Sequence, residues 1–329
     1  MEYVPGDLTL TARAGTRLSE IIAATSAEGQ WLPLDPWGGD SGSLGGTLST
    51  ATAGPHSFSS GLPRDVVLGV EFVSGTGQVV RAGGRVVKNV AGFDLTRLLV
   101  GSWGTLGVIT EVTVRLRARP ELTRTLAIST SGTHTALNEL AIRLRALPFT
   151  PLASEVVNQR LAAQLGLGEE SILLVRVGGN ATSVQGQIEL LRVFGAQREA
   201  GEDVWDSLRG VEPPDAATWR WSQLPSMFGD TWSAADRSTR ALGPGETFML
   251  GNPARGLVRV VVQPAPKVTP AELVRAAAGF RGTVVTERLP RSAWPLADSR
   301  ASNDPISRAI RDKFDPAGIL NPGILGVRS

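Results

Sequence analysis

The chain has 329 residues, of which 42% are hydrophobic and 19% are charged, which is enough for two domains with sizeable cores. The absence of cysteine excludes disulfides, thiolate catalysis and iron–sulfur or zinc–sulfur sites within this chain. With only two histidines, His56 and His134, we expect no metal site.

The net charge is only +2, and no basic stripe with interleaved aromatic residues occurs, so we expect no nucleic-acid binding. No apolar run reaches the ~18 residues of a membrane-spanning helix, and no signal peptide follows Met1. We therefore expect a cytoplasmic protein, either free or held at the inner face of a membrane through a partner.

The chain opens with a strand followed by a helix. Apolar residues alternate with threonines from Leu8 to Ala12, which predicts the strand. Thr16 is the predicted N-cap of the helix, and Gly29 is its predicted stop.

A segment of small residues follows, Ser-Leu-Gly-Gly-Thr-Leu-Ser-Thr-Ala-Thr-Ala-Gly over residues 43–54. Small side chains let a flat aromatic ring lie against the backbone. The alternative is a helix packed tightly through alanine and glycine. Further on, Val66 to Val73 and Gln78 to Arg81 predict a hairpin around residues 74–77.

The stretch from Gly83 to Arg117 is the most informative part of the chain. A helix-like run, Phe93 to Val100, precedes glycines at positions 101, 104 and 107, and an alternating strand then runs from Val108 to Leu116. Glycine permits positive φ and close approach of a ligand to the backbone. This is not the Rossmann fingerprint, in which the glycines follow a strand and open a helix. A glycine-rich loop without a ligand is the alternative.

Arg119-Pro120 is the predicted domain boundary, because strand–helix–strand patterns follow it. They predict an α+β sandwich with one helical face. The predicted strands are Leu122 to Ile128, Ser171 to Val177, Leu257 to Gln263 and Val284 to Leu289; helices are predicted from the stripe Leu137 to Leu147 and from capping boxes at Thr182 and Thr269.

The run KNVAGFDLTRLLVGSWGTLGVITEVTVRL, residues 88–116, resembles the end of the FAD-binding domain of the vanillyl-alcohol oxidase/p-cresol methylhydroxylase superfamily. Within it, the chain is most similar to FAD-binding subunits of bacterial glycolate oxidases. Trp103 stands where better-known dehydrogenase members have glutamate. The closing run FDPAGILNPG, residues 314–323, resembles the C-terminal signature of the family.

The resemblance implies an α+β fold with a p-cresol methylhydroxylase-type FAD-binding domain at residues 1–118. A substrate or cap domain of the α/β-sandwich type would follow at residues 119–300, and a C-terminal segment at 301–329. Between the cap strands, Trp219, Trp221 and Trp232 would form either a wall over the flavin or core beneath a long loop.

The resemblance also implies non-covalent FAD, since the chain has no cysteine and His56 is the only histidine of that domain. The residues it places at the cofactor are Pro36, Gly45, Gly46, Ala53, Gly54, Lys88, Gly101, Ser102, Gly104, Thr105, Gly107, Val108 and Ile109.

The activity implied is oxidation of glycolate or a similar small 2-hydroxy acid, with electrons passed to partner subunits of a glycolate-oxidase-like complex. No catalytic base is assigned. His56 lies near the implied flavin wall, and His134 is expected at the surface. A non-catalytic flavin-binding or electron-relay subunit is the main alternative. A reductase of the type that makes UDP-N-acetylmuramate shares the FAD domain, but the C-terminal part of such a reductase is not recognised in this sequence.

In the superfamily a glycine-rich loop in an N-terminal βαβ unit holds the FAD pyrophosphate. No R-P-x-G-G-G-T-like segment precedes Leu8, and Gly38-Gly39-Asp40-Ser41 comes too late in the order to replace it. We therefore expect an FAD domain incomplete at its N-terminus, through a start further upstream or a natural truncation. The 329-residue form is expected to lose FAD on gel filtration.

Overall fold

A computed structural model describes residues 1–84, 94–196, 198–242, 247–297 and 304–324. The chain forms two compact units. The first comprises Met1–Arg119 together with Asp298–Ser329, and the second is Pro120–Ala297. The end of the chain therefore returns to the unit with which the chain begins.

The first unit is built on a five-stranded sheet in the order β1-β2-β6-β4-β5, with antiparallel neighbours, and a separate β3–β7 ribbon. The strands are β1 (Glu2–Val4), β2 (Thr9–Arg13), β3 (Gln30–Trp31), β4 (Val67–Val73), β5 (Val79–Gly83), β6 (Val108–Arg115) and β7 (Arg117–Ala118). The predicted strands and hairpin of this region are confirmed.

The central strand β6 contains a bulge that the sequence pattern conceals. Ile109 pairs with Phe72 and Glu111 pairs with Glu71, so Thr110 is the extra residue. A bulge reverses the side-chain alternation beyond it. Val112 points into the core as predicted, but Val108 is 56% exposed and Ile109 is buried in its place.

The helices of this part are short: α1 (Leu18–Ser26), α2 (Leu44–Thr50), α3 (Ser57–Ser60), α4 (Pro63–Val66) and α5 (Leu95–Leu99). The predicted N-cap of α1 at Thr16 is wrong, because the helix begins two residues later and Arg17 makes no side-chain cap. The carbonyl of Gly42 accepts from the Leu18 N–H at 2.9 Å instead. A backbone loop thus satisfies an amide that a capping side chain would otherwise take.

The second unit carries an eight-stranded sheet in the order β11-β8-β10-β9-β13-β14-β12-β15. The strands are β8 (Leu122–Thr130), β9 (Ala153–Val157), β10 (Ser171–Gly179), β11 (Arg198–Ala200), β12 (Ala217–Ser222), β13 (Thr247–Asn252), β14 (Leu257–Val262) and β15 (Thr283–Arg288). All described pairings are antiparallel, so the strand–helix–strand patterns of this unit do not form parallel βαβ units.

The helices of the second unit are α6 (His134–Arg145), α7 (Gln159–Gln164), α8 (Ala181–Phe194), α9 (Val204–Arg209), α10 (Phe228–Thr239) and α11 (Pro270–Arg275). Thr269 caps α11 in a capping box, as predicted. The box predicted at Thr182 is wrong, because Asn180 caps α8 and accepts from the Ser183 N–H at 2.8 Å.

The tryptophan-rich segment is core. Trp219 and Trp221 lie in β12 and are 0% and 1% exposed, and Trp232 of α10 is also buried. They pack in one cluster with the apolar residues of α6, α8 and α11. The segment forms regular elements rather than a long loop, and the core alternative is confirmed.

The last helix, α12 (Pro305–Phe314), belongs to the first unit. The ring of Phe314 lies 6.0 Å from that of Phe72, and the Phe314 carbonyl accepts from the Gly75 N–H at 2.9 Å. Within the described part of the chain, no helix has both the length and the apolar character needed to cross a bilayer.

Candidate functional site

The loop from Gly101 to Gly107 lies against the last turn of α2, and these are two of the segments predicted to contact the cofactor. The Gly101 N–H donates to the Leu48 carbonyl at 2.9 Å, and the Trp103 N–H donates to the Ser49 carbonyl at 2.8 Å. We call these segments, with the residues that hold them, the cradle. Its members are residues 48–51, residues 101–107 and Asn321.

The cradle backbone is left-handed at five residues: Ala51 (φ +51°), Gly101 (φ +82°), Trp103 (φ +54°), Gly104 (φ +69°) and Asn321 (φ +41°). Glycine takes this conformation without strain, whereas alanine and tryptophan do not. The fold therefore holds this loop in a strained backbone conformation, and such strain is common at ligand sites.

Ser102 provides the clearest sign of a ligand. Its side chain is buried, and its Oγ has no hydrogen-bond partner among the described residues. Thr105 does not use that hydroxyl, because both its N–H and its Oγ1 donate to the Ser102 carbonyl, at 3.0 and 2.7 Å. A buried hydroxyl without a partner is costly, so a polar atom of a ligand is the natural partner for it.

Asn321 contacts the loop from the C-terminal segment. Its Nδ2 donates to the Trp103 carbonyl at 2.6 Å, and a Cβ on Gly104 would lie 2.8 Å from that same nitrogen. The turn that carries Asn321 is fixed by the fully buried Asp315, whose carboxylate accepts from the N–H groups of Ile319 and Leu320.

The glycines of α2 are used within the protein. The Gly45 N–H donates to the Ala14 carbonyl at 2.8 Å, and a Cβ on Gly45 would lie 2.5 Å from the Cβ of Ala14. The Gly46 N–H donates to the Oγ of Ser43, the N-cap. The alternative given for this segment, a helix packed tightly through alanine and glycine, describes the role seen for Gly45.

A second cluster lies at the other end of the small-residue segment. Gly54 lies directly against Asp35, because the Gly54 N–H donates to the Asp35 carbonyl at 2.5 Å. The buried Asp35 carboxylate accepts from the His56 N–H at 2.8 Å and lies 3.3 Å from His56 Nδ1. Pro36 is buried and Ala53 half-buried beside them.

The remaining residues predicted to contact the cofactor lie in different surroundings. A Cβ on Gly107 would lie 2.4 Å from the ring of Phe72, so this glycine serves close packing. Ile109 is core and Val108 is exposed. Lys88 lies outside the described residues.

In the second unit, His134 begins α6 and is about half exposed, as expected. Its Nε2 lies 2.9 Å from Asp230, and Asn138 also contacts that carboxylate at 3.4 Å. Burial alone would raise the pKa of Asp230, but the hydrogen bonds from His134 and Asn138 hold it below 3.8. No group of three or more potential metal ligands occurs within the described residues.

The sequence did not point to Asn321 or to the α2 carbonyls as partners of the glycine loop. Asn321 stands in a noted signature, but no local pattern connects it with a loop more than 200 residues earlier. The cradle suits FAD, which carries phosphate and ring oxygens that can pair with the Ser102 hydroxyl, and a body that needs close backbone approach.

The comparisons with known proteins agree with this fit. A family profile described as an FAD binding domain matches residues 1–83. The chain is 32% identical to glycolate oxidase subunit GlcE of Escherichia coli (strain K12) over 98% of its own length and 83% of that protein. It is 31% identical to glycolate oxidase subunit GlcD of Bacillus subtilis (strain 168), covering 98% of this chain and 76% of that one.

Among solved structures, an alkyldihydroxyacetonephosphate synthase superposes with a TM-score of 0.70 at 16% identity. The match covers 98% of this chain and 65% of that one, and it shows the fold alone. Together with the FAD-binding-domain profile, it confirms the predicted α+β class with an FAD-binding domain. By sequence and fold together, the chain belongs to the family of FAD-linked oxidoreductases that includes the glycolate oxidase subunits.

Proposed function

We propose that this chain is the FAD-dependent subunit of a 2-hydroxy-acid oxidoreductase, acting on glycolate or a similarly small acid. The observation that carries the proposal is the near full-length similarity to glycolate oxidase subunits. The cradle supports it, because its buried Ser102 hydroxyl has no partner among the described residues and can pair with a polar atom of FAD.

Bound FAD would accept the hydride that leaves the hydroxyl-bearing carbon of the substrate. The reaction balances as glycolate to glyoxylate with two electrons and two protons released. We propose that Ser102 and the backbone of residues 101–105 bind the cofactor, while Asn321 and the α2 carbonyls orient that loop. With no cysteine and only His56 in the first unit, we propose that FAD is held without a covalent bond.

The relatives are named as subunits, and we propose that this chain also works with partner subunits that take the electrons. The chain has no cysteine with which to hold an iron–sulfur cluster of its own. A partner or an external acceptor must therefore reoxidise the flavin.

A steady-state assay tests the activity. The FAD-loaded chain should reduce an artificial dye in the presence of glycolate and form one glyoxylate for every two electrons delivered. D-Lactate and L-lactate in parallel would define the substrate. Dye reduction without glyoxylate, or no reduction with any of the three acids, would contradict the proposal.

The second candidate is a non-catalytic flavin-binding or relay subunit. The scarcity of histidine favours it, since the chain has only His56 and His134 to offer as an imidazole base. In that case the flavin of the isolated chain would stay oxidised with every acid, yet accept electrons from a reduced partner subunit.

A further inference from the structure

The second unit contains an open cavity of about 670 Å³ that uses no residue of the cradle. Its walls come from α10, the end of β12, the first residue of α6 and the turn after α11. A volume of this size lies within the range of small-molecule sites, roughly 300–1,000 Å³.

The carboxylate and the amide oxygen that line the cavity already accept hydrogen bonds from the protein. Asp230, its one acidic residue, accepts from His134 at 2.9 Å and from Asn138 at 3.4 Å. The Oε1 of Gln223 accepts from the Thr231 hydroxyl at 2.9 Å. A ligand that must donate hydrogen bonds would find few acceptors in this cavity.

The donors, by contrast, are in surplus. Arg237 of α10 and Arg281 after α11 are exposed, and their guanidinium groups make no ion pair or hydrogen bond with a described residue. Trp221 also lines the cavity; it is 1% exposed, and its Nε1 has no partner among the described residues. Two unneutralised guanidinium groups and a spare indole N–H together select an anion.

Part of the wall is apolar. The Phe280 ring stands edge-on to Trp221, with centroids 4.8 Å apart, and Met227 is 38% exposed at the rim. A bare inorganic anion would leave this surface uncovered, whereas an anion carrying an apolar body would bury it.

We propose that this cavity binds a small organic anion, a carboxylate or a phosphate ester with an apolar body. Arg237 and Arg281 hold the charged end, and the body lies against Phe280 and Met227. All residues of the site belong to the second unit.

Calorimetric titration of the full chain with phenylacetate and with phenyl phosphate tests the proposal and distinguishes the two anions. At least one should bind saturably at one site, while benzyl alcohol, which is uncharged, and inorganic phosphate, which has no apolar body, should not. Arg237→Ala and Arg281→Ala should each weaken binding at least about tenfold, about 1.4 kcal/mol.

Arg240→Ala is the matched control, because it removes the same charge from the same end of α10 without touching the cavity. It should leave the affinity within about twofold of the parent. The proposal is overturned by any of three results: no saturable binding of either anion at concentrations on the order of 10 mM, equal binding of benzyl alcohol, or an affinity that Arg237→Ala and Arg281→Ala leave unchanged.

Discussion

Ser102 sits in a conformation held by Thr105 and the α2 carbonyls, with a buried hydroxyl that no described residue uses. Ser102→Ala should therefore leave the melting temperature of the FAD-free protein unchanged or slightly higher, because it removes an unsatisfied polar group. FAD affinity should fall by about three- to tenfold, the worth of one neutral hydrogen bond. Flavin titration and thermal melting measure the two effects separately.

Thr105→Val is the control for Ser102. The Thr105 hydroxyl donates to the Ser102 carbonyl at 2.7 Å. Unlike Ser102→Ala, Thr105→Val should therefore lower the stability of the FAD-free protein. Parental FAD affinity in Ser102→Ala would mean that this hydroxyl does not face the cofactor.

Asn321 holds the same loop from the C-terminal segment. Asn321→Ala removes the 2.6 Å hydrogen bond to the Trp103 carbonyl and should weaken FAD binding by up to about tenfold. It should also change the visible spectrum of the bound flavin, since the loop would no longer be held in one position. Ile319→Ala, an exposed residue of the same turn, should do neither. Unchanged affinity and an unchanged spectrum in Asn321→Ala would show that the loop keeps its shape without this bond.

At the level of elements, α2 and β2 are pressed together at Gly45. Gly45→Ala would place a methyl group 2.5 Å from the Cβ of Ala14. This overpacking should lower the free energy of unfolding by about 1–3 kcal/mol. Gly46→Ala in the same helix meets only the Ser43 hydroxyl, at 3.0 Å, and should be far milder. Urea unfolding of the two variants measures the difference. Equal stability of the two would contradict the packing role of Gly45.

Strands β12, β14 and β15 are joined by a cluster of charges around Arg259. Its guanidinium is buried and bridges Glu212 at 2.9 Å and Glu287 at 2.7 Å. Burial alone would raise the pKa of Glu212, but Arg259, the Thr218 hydroxyl and Arg288 outweigh it and hold the pKa below 4.5.

This lowered pKa makes the stability of the second unit depend on pH. A carboxylate whose pKa is lower in the folded state stabilises the fold above its unfolded pKa, and the contribution disappears as the pH falls through the folded value. Glu212→Gln should therefore destabilise the protein by about 2 kcal/mol at neutral pH. The difference from the parent should shrink on acidification below pH 4.5.

Urea unfolding at several pH values checks this expectation. Glu199→Gln is the control, because Glu199 is 54% exposed and lies 3.7 Å from Arg124. Its effect should stay under about 1 kcal/mol at every pH. A Glu212→Gln effect that does not vary with pH would mean that the charge on Glu212 contributes nothing to stability.

The elements that the sequence predicted are those in which local pattern and tertiary environment agree. The Thr269 box and the strand Ser171–Gly179 are of this kind. Two of the failures are non-local. Thr110 forms a bulge because of its pairing with β4, and α1 begins at Leu18 because the Gly42 carbonyl takes its amide.

The candidate site shows the same limit. The glycine loop could be located from its spacing and resemblance, but spacing could not separate glycines that serve close packing, such as Gly45 and Gly107, from Gly101 and Gly104, which have a left-handed backbone. Asn321 could not be found, because a bond across more than 200 residues leaves no local pattern. Only the folded chain shows that the buried Ser102 hydroxyl has no partner among the described residues.

At the scale of the whole molecule, the first unit is assembled from both ends of the chain and the second unit from its middle. The C-terminal segment contributes Phe314 to the core of the first unit and Asn321 to the cradle. The shape of the cradle therefore depends on the last described helix and turn of the chain.

Anaerobic mixing of the FAD-loaded chain with glycolate or D-lactate tests the central claim most directly, because it needs neither a partner subunit nor an acceptor. We expect the visible absorbance of the oxidised flavin to disappear in a single turnover, with one glyoxylate or pyruvate formed per flavin. A flavin that remains oxidised with every 2-hydroxy acid, yet is reduced by dithionite, would contradict the account and leave the relay function in its place.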